Sequence, residues 1–181
     1  MGSVGMTNAT VESLVVEFFK RSQGQWKSQR RYYMLNQDTD PQEVESSLEI
    51  SFLERGAPEL RNLADLHQLE DRDALLCGTK ITWNSSYTNR NRKASYGSTS
   101  FGIVGNKLYR DRGFATNKPV LAICSLTNPD ILCLRTEYSG SVFEEEIRLI
   151  GHSYRTRQTI ISRAGEEITI GQYLETRILN N

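Results

Sequence analysis

The sequence predicts a mainly β fold: a closed antiparallel barrel of about ten strands, preceded by one α-helix and carrying a short second one. Three observations carry this expectation. Val11, Leu14, Val15, Phe18 and Phe19 recur at i, i+3, i+4, i+7 and i+8, which is a helix with one apolar face. A Gly24-x-Trp26 pair follows at once, and from it side chains begin to alternate. From Ala74 onward the chain reads as strand after strand, separated by short turn sequences. A meander of that many strands closes into a barrel or splits into two packed sheets.

Each element has its own signal. In the first helix Glu12, Glu17 and Lys20 lie opposite the apolar face, Thr10 suits the start and Gly24 the position just past the end. Trp26, Ser28, Arg30 and Tyr32 then share one face of a first strand, with Lys27, Gln29, Arg31 and Tyr33 on the other. The segment Gln37-Asp38-Thr39-Asp40-Pro41 is a turn. Val44, Ser46, Leu48, Ile50 and Phe52 alternate as a second strand. Between Pro58 and Leu69, leucines recur at threes (60, 63, 66 and 69), and Pro58 suits a first helical turn, so a short helix is expected there. Strands follow over 75–87, 94–104, 107–110, 120–126, 131–138, 142–150, 154–162 and 168–178. Gly105-Asn106 is a two-residue hairpin turn, and Asn128-Pro129-Asp130, Ser139-Gly140, Gly151-His152 and Ala164-Gly165 separate the later strands.

Composition narrows the function classes. Lys plus Arg equals Asp plus Glu at 22 each, so no global basic field points to nucleic acid, and no apolar run approaches the length that crosses a bilayer. Arg90-Asn91-Arg92-Lys93 is basic but lacks interleaved aromatics and reads as a loop. Cys77, Cys124 and Cys133 are odd in number and form no C-x-x-C, which argues against a disulfide framework and for a reducing cytoplasm. His67 and His152 are isolated, so no metal site is expected. Residues 6–181 are expected to form one domain, and residues 1–5 read as an expression scar ahead of Met6.

Four positions carry the candidate chemistry. Arg155 and Arg157, two apart in a strand, share a face. If that face is inward, the pair is an anion site suited to carboxylates; if outward, it is a solvated pair. Glu144-Glu145-Glu146 lies on the preceding strand, where Phe143, Ile147 and Leu149 share a face with Glu145. Glu145 then needs a partner, and Arg155 or Arg157 is within reach across the Gly151-His152 turn. A strict two-residue loop would instead set Glu146 and Arg148 opposite the arginines. Trp83 is either core or the flat wall of a cavity for a conjugated ligand. Gly-x-Trp is also the mark of the lipocalin-like (calycin) barrels, in which a late basic residue packs across the tryptophan; Arg177 suits that place.

Taken together, the chain resembles the S/U-type (CpcS/CpeS-like) phycobiliprotein bilin lyases from about Thr10 to Leu179. The resemblance rests on Phe18-Phe19-x4-Gly24-x-Trp26-x-Ser28-x-Arg30, Thr82-Trp83-Asn84, Thr136-Glu137-Tyr138, Glu144-Glu145-Glu146, Arg155-Thr156-Arg157 and Glu175-Thr176-Arg177. Where the family often has a histidine just after the first-strand tyrosine, this chain has Tyr32-Tyr33-Met34. The resemblance implies a lipocalin-like barrel that binds phycocyanobilin, a linear tetrapyrrole with two propionates, as substrate rather than as a permanent cofactor. It implies delivery of that bilin to a cysteine of a phycobiliprotein subunit, with a thioether formed at the A-ring ethylidene. Arg155 and Arg157 would hold propionates, Trp83 would pack on a ring, and Glu145 would be catalytic, bonding to pyrrole N–H groups or favouring their protonation. Partners would be the acceptor subunit and a second lyase chain, identical or related. A non-catalytic carrier or sensor of a hydrophobic anion, and an assembly protein of the antenna, are the competing readings.

Overall fold

The structure is a computed structural model that describes residues 7–87 and 93–179. Residues 1–5, for which a scar is expected, and the stretch 90–92 of the basic run therefore lie outside the described residues. The first helix, α1 (Asn8–Ser22), leads into β1 (Gly24–Met34) and β2 (Gln42–Glu54). A second helix, α2 (Pro58–Leu66), precedes β3 (Cys77–Tyr87), β4 (Ser95–Val104), β5 (Lys107–Arg110), β6 (Val120–Asn128), β7 (Ile131–Tyr138), β8 (Ser141–Ile150), β9 (Tyr154–Arg163) and β10 (Glu166–Arg177). Each strand pairs antiparallel with its neighbours in sequence, and β1 pairs with β10, so the meander closes. Closure removes both sheet edges, which is the physical reason for a barrel here rather than an open sheet.

Details of the helices depart from expectation. Thr7, not Thr10, caps α1: its Oγ1 accepts from the Thr10 N–H at 3.3 Å. Val11, Val15, Phe18 and Phe19 are buried against inward side chains of β3 to β8, including Ile103, Leu108, Ala122 and Leu132. Thus α1 plugs the end at which β1, β3, β5, β7 and β9 begin. In α2 the buried face is Leu60, Leu63 and Ala64, whereas Leu66 is 44% exposed. The i, i+3, i+4 spacing of a true helical stripe displaces the leucine-every-third pattern. This helix lies outside the barrel, where Leu60 and Leu63 join Leu53 and Leu75.

The plugged end is locked as expected. Trp26 is fully buried and donates from Nε1 to the Ser22 carbonyl at 2.9 Å. Arg177, directly opposite Trp26 on β10, places its guanidinium 4.2 Å from the indole centroid. The same guanidinium donates to the carbonyls of Arg21 (2.6 Å) and Gln23 and, from the other side, of His152 (2.8 Å). It thereby satisfies carbonyls left open at the end of α1. Gly24 makes room for this: its φ is +129°, and a Cβ there would lie 2.8 Å from Arg177 Nη1. Gly24→Ala is expected to lower stability by about 1–3 kcal/mol, read as a drop in the urea midpoint with the slope unchanged. An unchanged midpoint would show that Arg177 is not held there.

Candidate functional site

Strand alternation decides which polar side chains enter the barrel. On β8, Glu145 turns inward and is buried, while Glu144 and Glu146 stay in solvent. On β9, Arg155 and Arg157 turn inward with Thr159. The inward alternative for the arginine pair is the one realised. The β8–β9 connection holds three residues, Gly151 to Ser153, between Ile150 and Tyr154. That extra residue sets Leu149 opposite Arg155 and Ile147 opposite Arg157, so the register that pairs Glu146 and Arg148 with the arginines does not occur.

Two buried ionic groups result. Arg157 donates from Nη2 to Glu145 Oε1, and Arg110 reaches across the interior from β5 to give Oε2 a 2.9 Å bond. Arg155 donates from Nη2 to Glu175 Oε2 at 2.9 Å, and Glu175 is almost wholly buried. Burial alone would push the Glu145 carboxyl up, but Arg157 and Arg110 outweigh it and hold its pKa at about 2. Burial likewise disfavours the charged form of Arg157, yet the Glu145 carboxylate raises its pKa. The Nε–H groups of Arg110, Arg155 and Arg157 have no hydrogen-bond partner among the described residues. These donors are costly to leave unused.

Beyond the ionic layer lies a cavity of about 450 Å³, open towards the end opposite α1. Five arginines among the described residues line it: Arg30, Arg110, Arg112, Arg155 and Arg157. Among the described residues no aspartate or glutamate does. Trp83, Tyr32 and Tyr173 supply aromatic wall, and Arg112 sits 4.9 Å from the Trp83 ring centroid. A wider groove of about 780 Å³ runs over the outer surface of β8 to β10, β1 and β2. Its walls mix acids such as Glu43, Glu45 and Glu146 with Arg31 and Arg148, so it lacks the single-sign field of the cavity.

The structure thus brings Trp83, Arg155 and Arg157 together in one wall. Glu145 stands apart, behind Arg110 and Arg157, and does not line the cavity. Arg30, Arg110, Tyr173 and Glu175 escaped the sequence reading as site residues, although each had a signal: Arg30 shares a face with Trp26, Arg110 alternates with Leu108, and Tyr173 and Glu175 share the face of Arg177. Arg112 lies past the end of β5, where no periodicity marks it.

A family model described as CpeS-like protein matches residues 14–178, nearly the whole barrel. The chain belongs to the CpeS-like family. Within this CpeS-like chain, Arg155-Thr156-Arg157 and Glu144-Glu145-Glu146 are strand segments of which only alternate members reach the interior. A Nostoc protein named "Putative phycocyanobilin lyase CpcS 2" is 58% identical over 168 residues, covering 93% of each chain. The phycocyanobilin lyase subunit CpcS of a Picosynechococcus species is 28% identical over 170 residues, covering 90% of this chain and 85% of that one. The S-type phycobiliprotein lyase CPES of Guillardia theta superposes with a TM-score of 0.77 at 22% identity, covering 92% of this chain and 94% of that one, which fixes the shared CpeS-like fold. No helix among the described residues is long and apolar enough to cross a membrane.

Proposed function

We propose that the protein is a phycobiliprotein chromophore lyase: it binds a linear tetrapyrrole, phycocyanobilin, in the barrel cavity and attaches it through a thioether to a cysteine of a phycobiliprotein subunit. The observation that carries this reading is the cavity wall beside Trp83, to which the described residues contribute five arginines and no carboxylate side chain. A long conjugated dianion fits such a wall, because guanidinium groups grip carboxylates and the aromatic rings pack on the π-system. Membership in the CpeS-like family and the names of the relatives support the same reading.

In this mechanism Arg155 and Arg157, joined by Arg30 and Arg112, hold the two propionates, and Trp83 packs on a pyrrole ring. Glu145 is a positioning residue: it ties Arg110 to Arg157 and sets how they face the ligand. The sulfur comes from the acceptor. Burial pushes the thiols of Cys77 and Cys124 up to about 12 and about 11, which keeps them protonated and poorly nucleophilic. Holding one bilin conformer with its reactive ring presented to an incoming thiol converts an unselective addition into a directed one. The bilin is substrate, and no permanent cofactor enters the scheme.

The test is to mix the protein with phycocyanobilin and an apo-phycobiliprotein subunit. Denaturation-resistant, red-absorbing chromophore on the acceptor is the expected result. Bilin uptake without transfer would make the protein a carrier, and acceptor binding without bilin uptake would make it an assembly factor.

A further inference from the structure

Addition of a thiol across the ethylidene double bond needs a proton for the ring carbon, and the groups assigned so far do not offer one. Glu145 is ionised and stands behind two guanidinium groups, away from the cavity. Arginine holds its protons too tightly to act as an acid. The cavity wall does carry two phenols side by side. Tyr32 on β1 and Tyr173 on β10 meet edge to face, with centroids 5.7 Å apart and planes at 85°, and their hydroxyls are 3.1 Å from each other. The fold makes a place for them: Tyr32 is opposite Gly171, where a Cβ would lie 3.1 Å from the Tyr173 ring and 3.3 Å from that of Tyr32. The two cross-strand partners of Tyr173 bring guanidinium carbons to its ring, Arg30 of β1 at 5.3 Å and Arg157 of β9 at 5.2 Å from the centroid. Two hydroxyls that share one hydrogen bond use one O–H. The second has no acceptor among the described residues.

We propose that the Tyr173–Tyr32 pair is the proton donor for thioether formation. This rests on the reading of the protein as a bilin lyase. The acceptor thiol loses its proton to water, and its sulfur attacks the exocyclic carbon of the ethylidene. The S–C bond forms as the C=C π bond breaks, and the displaced electron pair takes a proton from the phenol pair at the ring carbon. The phenolate left behind sits beside Arg30 and Arg157 and regains a proton from water through the open cavity. A thiol has then added across a double bond, and no oxidant or reductant is required. Burial raises the Tyr173 phenol above its ordinary range, so Tyr173 carries its proton at neutral pH.

The experiment compares wild type, Tyr173→Phe and Tyr32→Phe in two measurements: phycocyanobilin affinity by absorbance titration, and the single-turnover rate of transfer to a saturating apo-subunit. Tyr173→Phe keeps the ring and should bind bilin within about threefold of wild type while transferring it roughly 10²-fold more slowly, the range expected for loss of a general acid. Tyr32→Phe should show a smaller loss of the same kind. Placing 3-fluorotyrosine at position 173 lowers the phenol pKa and should move the alkaline limb of the transfer rate to lower pH, a shift that a packing role would not produce. Wild-type transfer from bilin bound to Tyr173→Phe, or an unmoved alkaline limb, would overturn the proposal. Absence of transfer by the wild type would instead overturn the lyase reading beneath it.

Discussion

Replacing Glu145 by glutamine should cost the fold about 3–5 kcal/mol, because it leaves Arg110 and Arg157 charged, buried and without their shared carboxylate. Glu146→Gln, one residue along the same strand and half-exposed, should stay within about 0.5 kcal/mol of wild type. Urea unfolding of the two variants is the measurement. The difference also has a pH signature. The folded-state pKa of Glu145 is depressed from 4.5 to about 2, so its contribution is complete above pH 4.5 and is lost as the pH falls towards 2. The stability gap between wild type and Glu145→Gln should therefore close across that window. A Glu145→Gln protein that unfolds like wild type and fails only in transfer would restore Glu145 to a catalytic role.

The second large effect concerns the ligand. Phycocyanobilin dimethyl ester should bind at least about 10²-fold more weakly than the diacid. Each charge-assisted hydrogen bond to a propionate contributes roughly 1.5–3 kcal/mol, so the two together amount to about 3–6 kcal/mol. The ester changes no protein residue, which matters because the arginines are structural as well. Truncating Arg155 would strand Glu175 in the interior, and any loss of binding would be mixed with loss of fold. Trp83→Ala provides the contrast. It should weaken diacid and ester by the same factor, roughly tenfold, because it removes ring packing and no charge. Equal affinity of wild type for diacid and ester would refute the arginine wall as the carboxylate site and leave the cavity an apolar one.

Much of the fold was legible along the chain because a strand repeats with period two and a helix with period 3.6, and both are visible in runs such as Val44 to Ile50 and Val11 to Phe19. The lock at the barrel end was legible for a different reason. Gly24-x-Trp26 resembles the mark of the calycin barrels, in which a late basic residue packs across the tryptophan, and closure of the meander brings Arg177 on the last strand to Trp26 on the first. Alternation also set Glu145 on the face of Phe143, Ile147 and Leu149, while the choice between Glu145 and Glu146 as the inward carboxylate was made by the structure.

What the sequence determined by itself is therefore the succession of strands, the lock at one end and which charged residues share a face, but not which of those faces turns inward. Only the tertiary structure decided who meets whom. A third residue in the β8–β9 loop shifts every pairing between those strands by one, and no local pattern distinguishes a two-residue from a three-residue connection at Gly151. Arg110 meets Glu145 across the lumen from a strand that is not its neighbour, a contact that exists because the sheet curls shut. The same curling carries Glu145 behind the arginines and leaves Tyr32 and Tyr173 at the cavity surface. Facing is a property of one strand, whereas partnership across a barrel depends on the register of all ten.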